Sequence, residues 1–335
     1  MVLLCVIHLT DIAMKTTLIW IAALVLNTVV LPTSFADSMP EASSTATAAM
    51  QVHYQTVKID GVDVFYREAG PKEGPVLILL HGFPTSSHMF RDLITRLDDK
   101  YHIIAPDYPG YGYSGAPDHT QFAYTFDNYA NIVDKLIAKI GVTRYALYVM
   151  DYGAPVGFRL AAKHPERITA LIVQNGNAYD AGIGKFWDPI KAYWETGASK
   201  ERENIRWLML PKTTLWQYSN GFKDTSLVSP DARTLDQLFL DRPGNQEIQL
   251  DLFYDYRTNI PLYPQWQAYF RKNKPPMLIV WGKNDEIFIA PGAEAFKRDI
   301  PNVEIHMFDT GHFALESNGP EIAALIREFL GRSVR

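Results

Sequence analysis

One segment combines a polar side chain with a turn that would expose it at the end of a strand. Asp151 follows the apolar run 145–150 and precedes a helical pattern that begins Tyr152-Gly153-Ala154. A tight strand-to-helix turn presents one side chain at the edge of a sheet, where it can act as a nucleophile. The alternative is an Asp that only caps the following helix. Asp151 is therefore a candidate nucleophile that needs partners elsewhere in the chain.

Two later segments supply such partners. Asp285 follows the apolar run 277–281, and His312 follows the run 303–308, directly after Gly311. A carboxylate that orients an imidazole makes that imidazole a general base. Asp151, Asp285 and His312 therefore form a candidate catalytic triad in the chain order nucleophile, acid, base.

A fourth segment, His81-Gly82-Phe83-Pro84, follows another apolar run. In this arrangement the backbone N–H groups of Phe83 and Tyr152 are expected to converge as an oxyanion hole. His81 is expected to support its loop and not to titrate during catalysis.

These segments require a sheet that brings their ends together. Short apolar runs alternate with helical patterns over residues 51–177 and 263–335, which predicts an α/β core with a mostly parallel sheet and helices on both faces. Residues 178–262 have helical patterning and many aromatic residues, which predicts a helical cap inserted into that core. Strands are predicted at 52–59, 62–67, 76–80, 102–106, 145–150, 168–173, 277–281 and 303–308. Helices are predicted at 90–97, 124–140, 152–163, 293–298 and 320–330.

Composition excludes several function classes. The 335 residues include 47% hydrophobic and 21% charged residues, one Cys, and a net charge of −5. The chain can therefore bury a large core, and without a basic tract it is not expected to bind nucleic acid. A single Cys excludes an intramolecular disulfide and any multi-Cys metal site.

The N-terminal residues have a different pattern. Residues 1–13 are predicted to be a spurious extension before the true start at Met14. Residues 14–36 are typical of a signal peptide, with Lys15, the apolar segment 18–31, and a small residue, Ala36, before the cleavage site. That segment is short for a membrane span, and a retained anchor is the alternative. Residues 37–50 predict a flexible linker. The mature protein is expected in the periplasm or outside the cell, without stable membrane insertion.

Taken together, these motifs resemble the α/β hydrolases of the epoxide hydrolase and haloalkane dehalogenase group. The resemblance rests on segments 81–84 and 107–114, the Asp151 turn, Asp285 and His312, and it covers nearly all of residues 51–332. It implies an α/β-hydrolase fold with an eight-stranded, mostly parallel sheet and an inserted cap, with no cofactor and no metal. It also implies a covalent alkyl ester on Asp151 that water then hydrolyses. The substrate is expected to be small and largely apolar, and the oligomeric state is left open.

The leaving group separates the two activities of this group. Its dehalogenases generally bind halide through a Trp beside the nucleophile and a second Trp or Asn, whereas this chain has Tyr152 and Phe83 there. Its epoxide hydrolases use two cap tyrosines, and Tyr193 and Tyr254 lie at about the expected spacing. If the segment around Tyr254 is helical, Tyr254 and Tyr256 point in different directions, so only one can reach the pocket. Epoxide hydrolysis is therefore the favoured prediction.

Haloalkane dehalogenation stays as the alternative. Val149 and segment 84–87 are more like the dehalogenases, and cap indoles could supply an N–H group for halide. These cap tryptophans are Trp187, Trp194, Trp207 and Trp216. A carboxylesterase would be better served by a Ser nucleophile, and a non-catalytic binding protein would not need a complete triad.

Overall fold

An eight-stranded sheet organises the computed structural model, which describes residues 51–334. The spatial order is β1-β2-β4-β3-β5-β6-β7-β8, and β2 runs in the direction opposite to the other seven strands. The strands are β1 (His53–Ile59), β2 (Val62–Ala69), β3 (Val76–Leu80), β4 (His102–Pro106), β5 (Tyr145–Met150), β6 (Ile168–Gln174), β7 (Met277–Gly282) and β8 (Glu304–Phe308). The predicted mostly parallel sheet is confirmed. The predicted extension, signal peptide and linker (residues 1–50) lie outside the described residues.

Helices cover both faces of this sheet. In chain order they are α1 (Arg91–Leu97), α2 (Phe126–Lys139), α3 (Gly153–Lys163), α4 (Asp188–Thr196), α5 (Ser199–Asn204), α6 (Pro211–Ser219), α7 (Pro230–Leu240), α8 (Asn245–Asp255), α9 (Tyr263–Asn273), α10 (Pro291–Ala295) and α11 (Ala314–Ser333). α4 to α8 fall within the segment 178–262 that was predicted to be a cap. α9 packs against α3, where the Phe158 ring lies 5.6 Å from Trp266 and 5.3 Å from Phe270.

The central strand β3 shows why its apolar run is continuous. Leu77 and Leu79 belong to the hydrophobic core formed with α1 and α11, whereas Ile78 and Leu80 belong to the core formed with α2 and α3. Successive side chains of a strand point to opposite faces, so a strand covered on both sides has apolar residues throughout. β5 and β7 are buried along their whole length in the same way, and Asp151 and Lys283 come only after their last residues.

Some helix limits differ from those predicted. α2 begins two residues later than predicted because Thr125 caps it, its Oγ1 accepting from the N–H of Asn128 at 3.1 Å. α11 begins earlier than predicted, at Ala314, and is kinked at Asn318, just before Pro320. The proline therefore stands near the start of the second helical part, where a missing N–H is tolerated.

No helix between residues 51 and 334 is long and apolar enough to cross a bilayer.

Candidate active site

Asp151 occupies the turn between β5 and α3. Its φ of 50° lies in the left-handed region, which costs a non-glycine residue about 1–2 kcal/mol and which Asp tolerates better than most residues. The side chain is only 4% exposed. Gly82 at the end of β3 passes so close that a Cβ there would lie 2.3 Å from the Cβ of Asp151. The backbone thus holds the carboxylate at the carboxyl edge of the sheet and leaves no room for a side chain at position 82.

The Asp151 carboxylate has two different sides. Its Oδ1 accepts from the Phe83 N–H at 2.7 Å, and the Tyr152 N–H also donates to this carboxylate. Its Oδ2 lies 3.7 Å from the Nε2 of His312. The two N–H groups predicted to form the oxyanion hole therefore converge on the candidate nucleophile, and its other oxygen faces the candidate base.

His312 is oriented by a carboxylate that is itself held in place. The Nδ1 of His312 lies 2.7 Å from the Oδ2 of Asp285. That oxygen also accepts from the Nδ2 of Asn175 at 2.8 Å, while Oδ1 accepts from the Ile287 N–H at 2.7 Å. The Nε2 of His312 has no hydrogen-bond partner within residues 51–334. The structure thus brings the three predicted triad residues together and leaves the basic nitrogen free towards Asp151.

Asn175 is a site residue that the sequence reasoning missed. It follows β6 directly, has a positive φ of 40°, and accepts from the Gly282 N–H at 2.9 Å through its side-chain oxygen. It therefore links the end of β6 to the loop of Asp285. The signal was available, because Asn175 follows an apolar strand in the same way as Asp151 and Asp285.

Burial and charge set the protonation of the site. Burial raises the pKa of Asp151 to about 6, although His312 and the two backbone N–H groups act against this. Burial lowers the pKa of His312, but the carboxylates of Asp285 and Asp151 outweigh it and raise that pKa above its ordinary value. Near neutral pH the site can therefore hold an ionised Asp151 beside a basic imidazole.

His81 has the supporting role expected of it. Its Nδ1 lies 3.1 Å from the Gly82 carbonyl oxygen, and its Nε2 accepts from the Tyr108 N–H at 3.2 Å. Burial lowers the pKa of His81 to about 3, so the ring is neutral near pH 7. It joins the loop after β3 to the loop after β4 without contributing a charge.

A small cavity of about 10 Å³ lies beside Asp151. This is about the space that one water molecule needs. The walls are mostly apolar and are formed by Phe83, Asp151, Tyr152, Phe186, Trp187, Gln217, Phe253 and Ile287. Two of these residues carry a buried polar atom without a hydrogen-bond partner among the described residues, namely the Tyr152 hydroxyl and the Gln217 Nε2. The residues around the cavity therefore include two with a polar group that makes no hydrogen bond within the described part of the chain.

Tyr193 and Tyr254, predicted to bind substrate, do not line this cavity. Their rings pack against each other at 4.7 Å, and the Tyr193 hydroxyl accepts from Arg202 at 3.1 Å. Neither residue therefore contacts this cavity, and their assignment to substrate binding stays a prediction. α8 ends at Asp255, and Tyr256 points the other way, with its buried ring 4.4 Å from the cavity residue Trp187.

The cap indoles are not arranged to bind halide in this cavity. The Trp187 N–H donates to the Ile287 carbonyl at 2.8 Å, and the Trp194 N–H donates to the Phe253 carbonyl at 2.6 Å. The other two, Trp207 and Trp216, line a separate surface pocket and not this one.

Comparisons with known proteins agree with this architecture. Residues 75–319 match the family described as alpha/beta hydrolase fold. The chain is 46% identical over 268 residues to an uncharacterized hydrolase of Saccharomyces cerevisiae, covering 79% of this chain and 92% of that protein. It is 26% identical over 270 residues to haloalkane dehalogenase 2 of Mycobacterium tuberculosis, covering 77% and 88%. The crystal structure of an epoxide hydrolase from Vigna radiata has the same fold, with a TM-score of 0.67 and 24% identity over 84% of this chain and 98% of that one. The chain therefore belongs to the α/β-hydrolase fold family.

Proposed function

We propose that this hydrolase opens epoxides through a covalent ester on Asp151. The observation that carries the proposal is the two-sided carboxylate, with one oxygen held by Phe83 and the other free beside the unpartnered Nε2 of His312. A carboxylate can attack a saturated carbon and form an ester, whereas acyl transfer is the usual chemistry of a Ser at this position.

In the first step, the Oδ2 of Asp151 bonds to a ring carbon of the epoxide while the bond from that carbon to the ring oxygen breaks. The oxygen leaves with the electron pair as an alkoxide and takes a proton from the Tyr152 hydroxyl. Burial, and then the charge of Asp151, raise the pKa of Tyr152 well above its ordinary value, so the phenol carries its proton at neutral pH. An alkoxide is more basic than a phenolate, so the transfer runs towards the alcohol. The product of this step is a hydroxyalkyl ester.

In the second step, water attacks the ester carbonyl carbon and gives a proton to the Nε2 of His312. The negative charge that develops on Oδ1 is stabilised by the N–H groups of Phe83 and Tyr152. When the intermediate collapses, the alkyl oxygen leaves with the proton from His312, and a diol is released. The carboxyl proton left on Asp151 returns through water to the Tyr152 phenolate, which restores the starting state.

The available donors favour an epoxide over a haloalkane. Among the cavity residues, the indole N–H of Trp187 is already bonded to a backbone carbonyl, whereas the hydroxyl of Tyr152 is unpartnered. A departing alkoxide needs a proton, which an O–H group can supply, and a departing halide does not. Haloalkane dehalogenation is the second candidate, because the chain shares 26% identity with haloalkane dehalogenase 2 over most of its length.

The test stops the reaction after its first step. In His312→Gln the base is lost, so ester should accumulate on the peptide that contains Asp151 when the protein is incubated with a panel of epoxides and haloalkanes. An epoxide adds its whole mass to that peptide, whereas a haloalkane adds its mass less that of the hydrogen halide. The control is Asp151→Ala combined with His312→Gln, which should gain no mass.

A second measurement checks the route of the water oxygen. In a single turnover of the unchanged enzyme in ¹⁸O-water, the label should enter the Asp151 carboxylate and be absent from the first diol released. If the label appears in that diol, water attacks the epoxide directly and the ester mechanism is wrong.

We also propose that the protein is exported and cleaved after Ala36. The support is the order of a basic residue, an apolar segment and small residues in the segment 14–36. Mass measurement of the N-terminal peptide from the expressing cells tests this, because a protein that retains residues 14–36 contradicts it.

A further inference from the structure

We propose that the side-chain amide of Gln217 binds the oxygen that leaves the substrate carbon, which makes it a catalytic residue contributed by α6. The inference rests on the proposed ester mechanism and names the second donor that this mechanism needs. Gln217 lines the cavity beside Asp151 and is only 2% exposed. Its Nε2 is buried and has no hydrogen-bond partner among residues 51–334.

Such an amide is unfavourable for folding unless something else binds it. A buried donor without a partner loses its hydrogen bonds to water and gains none in exchange, and native proteins keep few of them. Where one is kept at the wall of a cavity, a ligand can supply the missing acceptor. The acceptor expected here is the oxygen of the opening epoxide, which gains negative charge as its bond to carbon breaks.

Other buried glutamines of this protein show the contrast. Gln174 donates to the His312 carbonyl at 3.2 Å and accepts from the Tyr148 hydroxyl. Gln249 donates to Asn245 at 3.0 Å and accepts from the Tyr111 hydroxyl at 2.5 Å. Both use their two ends for structural hydrogen bonds, whereas the Nε2 of Gln217, equally buried, has none.

Packing next to Gln217 fixes the end of α6 over the triad. The adjacent residue Tyr218 stacks on Phe313 with the ring centroids 4.3 Å apart, and its hydroxyl donates to Asp236 at 2.6 Å. Beyond the helix, the backbone passes so close to Gly311 that a Cβ there would lie 1.9 Å from the Asn220 carbonyl oxygen. Since Phe313 and Gly311 flank His312 in the chain, the loop that carries the base also holds the helix that carries Gln217.

A further contact joins the segment after α6 to the loop that carries Asp285. The Nδ2 of Asn284, the residue before Asp285, donates to the Gly221 carbonyl at 2.8 Å. The segment after α6 therefore contacts both loops of the triad. A side chain on a helix fixed in this way is pre-organised and does not need to be ordered when substrate binds.

Gln217 and Tyr152 would interact with the leaving oxygen in different ways. An amide N–H is too weak an acid to give up its proton, so Gln217 can only donate a hydrogen bond. The phenol of Tyr152 can transfer its proton. The amide would stabilise the developing charge while the C–O bond breaks, and the alcohol would form when the phenol proton moves. This pair would take the place of the two cap tyrosines expected from the sequence.

The test measures the two half-reactions separately. Gln217→Met keeps the length of the side chain and removes the N–H group. In the His312→Gln background, this change should slow the appearance of the epoxide adduct on Asp151 by about 100-fold, the usual loss for one donor to a developing oxyanion. In the presence of His312, hydrolysis of ester already formed should change less than about twofold, because that step uses the other donors.

The thermal midpoint of unfolding distinguishes the proposed role of Gln217 from a merely structural one. Because Gln217→Met removes a buried donor without a partner, the thermal midpoint should rise by about 2–4 °C. The matched control is Gln249→Met, which removes two satisfied hydrogen bonds away from the cavity. It should lower the midpoint and leave the rate of adduct formation within about twofold.

The failures of the two proposals are distinguishable. If His312→Gln forms epoxide adducts and Gln217→Met does not slow them, or if Gln217→Met lowers the midpoint, the role of Gln217 is refuted and the ester mechanism stands. If His312→Gln forms no adduct with any epoxide, the proposed function fails and the role of Gln217 fails with it.

Discussion

Asp151→Asn should stabilise the folded protein while it removes the proposed nucleophile. The Asn side chain has the same shape and can still accept the 2.7 Å hydrogen bond from the Phe83 N–H. What it lacks is the buried negative charge. A carboxylate buried among apolar walls lowers the free energy of unfolding, and the neutral amide avoids that penalty.

The size of the effect follows from the pKa of Asp151. Its ordinary value is 3.8, and burial raises it to about 6 in the folded protein. Because the pKa of Asp151 is higher in the folded state than in the unfolded state, the free energy of unfolding falls as the pH rises. The loss begins at the unfolded-state pKa and is complete above the folded-state pKa. The difference of about two pH units corresponds to about 3 kcal/mol at neutral pH, and to nothing below the unfolded value. Asn carries no such penalty at any pH.

The assay is urea unfolding of both proteins at about pH 7.5 and about pH 4. We expect the free energy of unfolding of Asp151→Asn to exceed that of the unchanged protein by about 3 kcal/mol at the higher pH, with most of the gain gone at the lower pH. The intact mass must show that the amide persists, because the same site could hydrolyse it. Asp309→Asn is the control, since Lys283 and Asn284 lower the pKa of that exposed carboxylate and its removal should bring no gain. A gain that is equal at both pH values, or no gain at all, would refute the assignment of a buried charge to Asp151.

Three further outcomes are expected. In the unchanged enzyme, the single-turnover rate of ester formation should fall as the pH drops through about 6, because protonated Asp151 cannot attack; a flat rate by rapid-quench mass spectrometry contradicts this. Gly82→Ala should abolish ester formation, since the new Cβ would lie 2.3 Å from the Asp151 Cβ. Adduct formation at the normal rate in a folded variant would show that this close approach is unimportant. Asn175→Gly keeps the positive φ and removes the 2.8 Å hydrogen bond to Asp285. Ester hydrolysis by His312 should therefore slow by about tenfold, and the ester should accumulate in steady state.

The triad positions were accessible from the sequence because of the geometry of parallel sheets. Asp151, Asp285 and His312 lie far apart in the chain, but each follows an apolar run. The carboxyl ends of parallel strands lie along one edge, so residues that follow such runs are brought together whatever separates them. Asn175 follows the same rule. Its amide side chain, however, is not one of the residue types that a nucleophile–acid–base triad predicts.

The helical segment 178–262 could not be interpreted in the same way. Helices that pack through aromatic side chains have no common edge, so spacing along the chain says little about which side chain faces the cavity. Tyr254 and Tyr256 illustrate this, because their separation indicates only that they point in different directions. Gln217 carried no sequence signal, since its importance depends on what fails to bond with it in the folded protein.

Unpartnered buried donors are informative here because of where they lie. Tyr145 and Thr169 also have buried hydroxyl groups without a partner in the described part of the chain, yet they belong to the beginnings of β5 and β6, away from the carboxyl edge. Gln217 and Tyr152 instead line the cavity beside Asp151, and the unpartnered Nε2 of His312 lies 3.7 Å from the Asp151 Oδ2. Buried polar groups are usually hydrogen-bonded within the protein. Exceptions tend to occur at functional sites, where the ligand supplies the missing partner. Removing such a donor should therefore raise stability and lower activity together. The predicted rise in stability can be measured before any substrate is known. A loss of stability in Gln217→Met would argue against the site independently of any choice of epoxide.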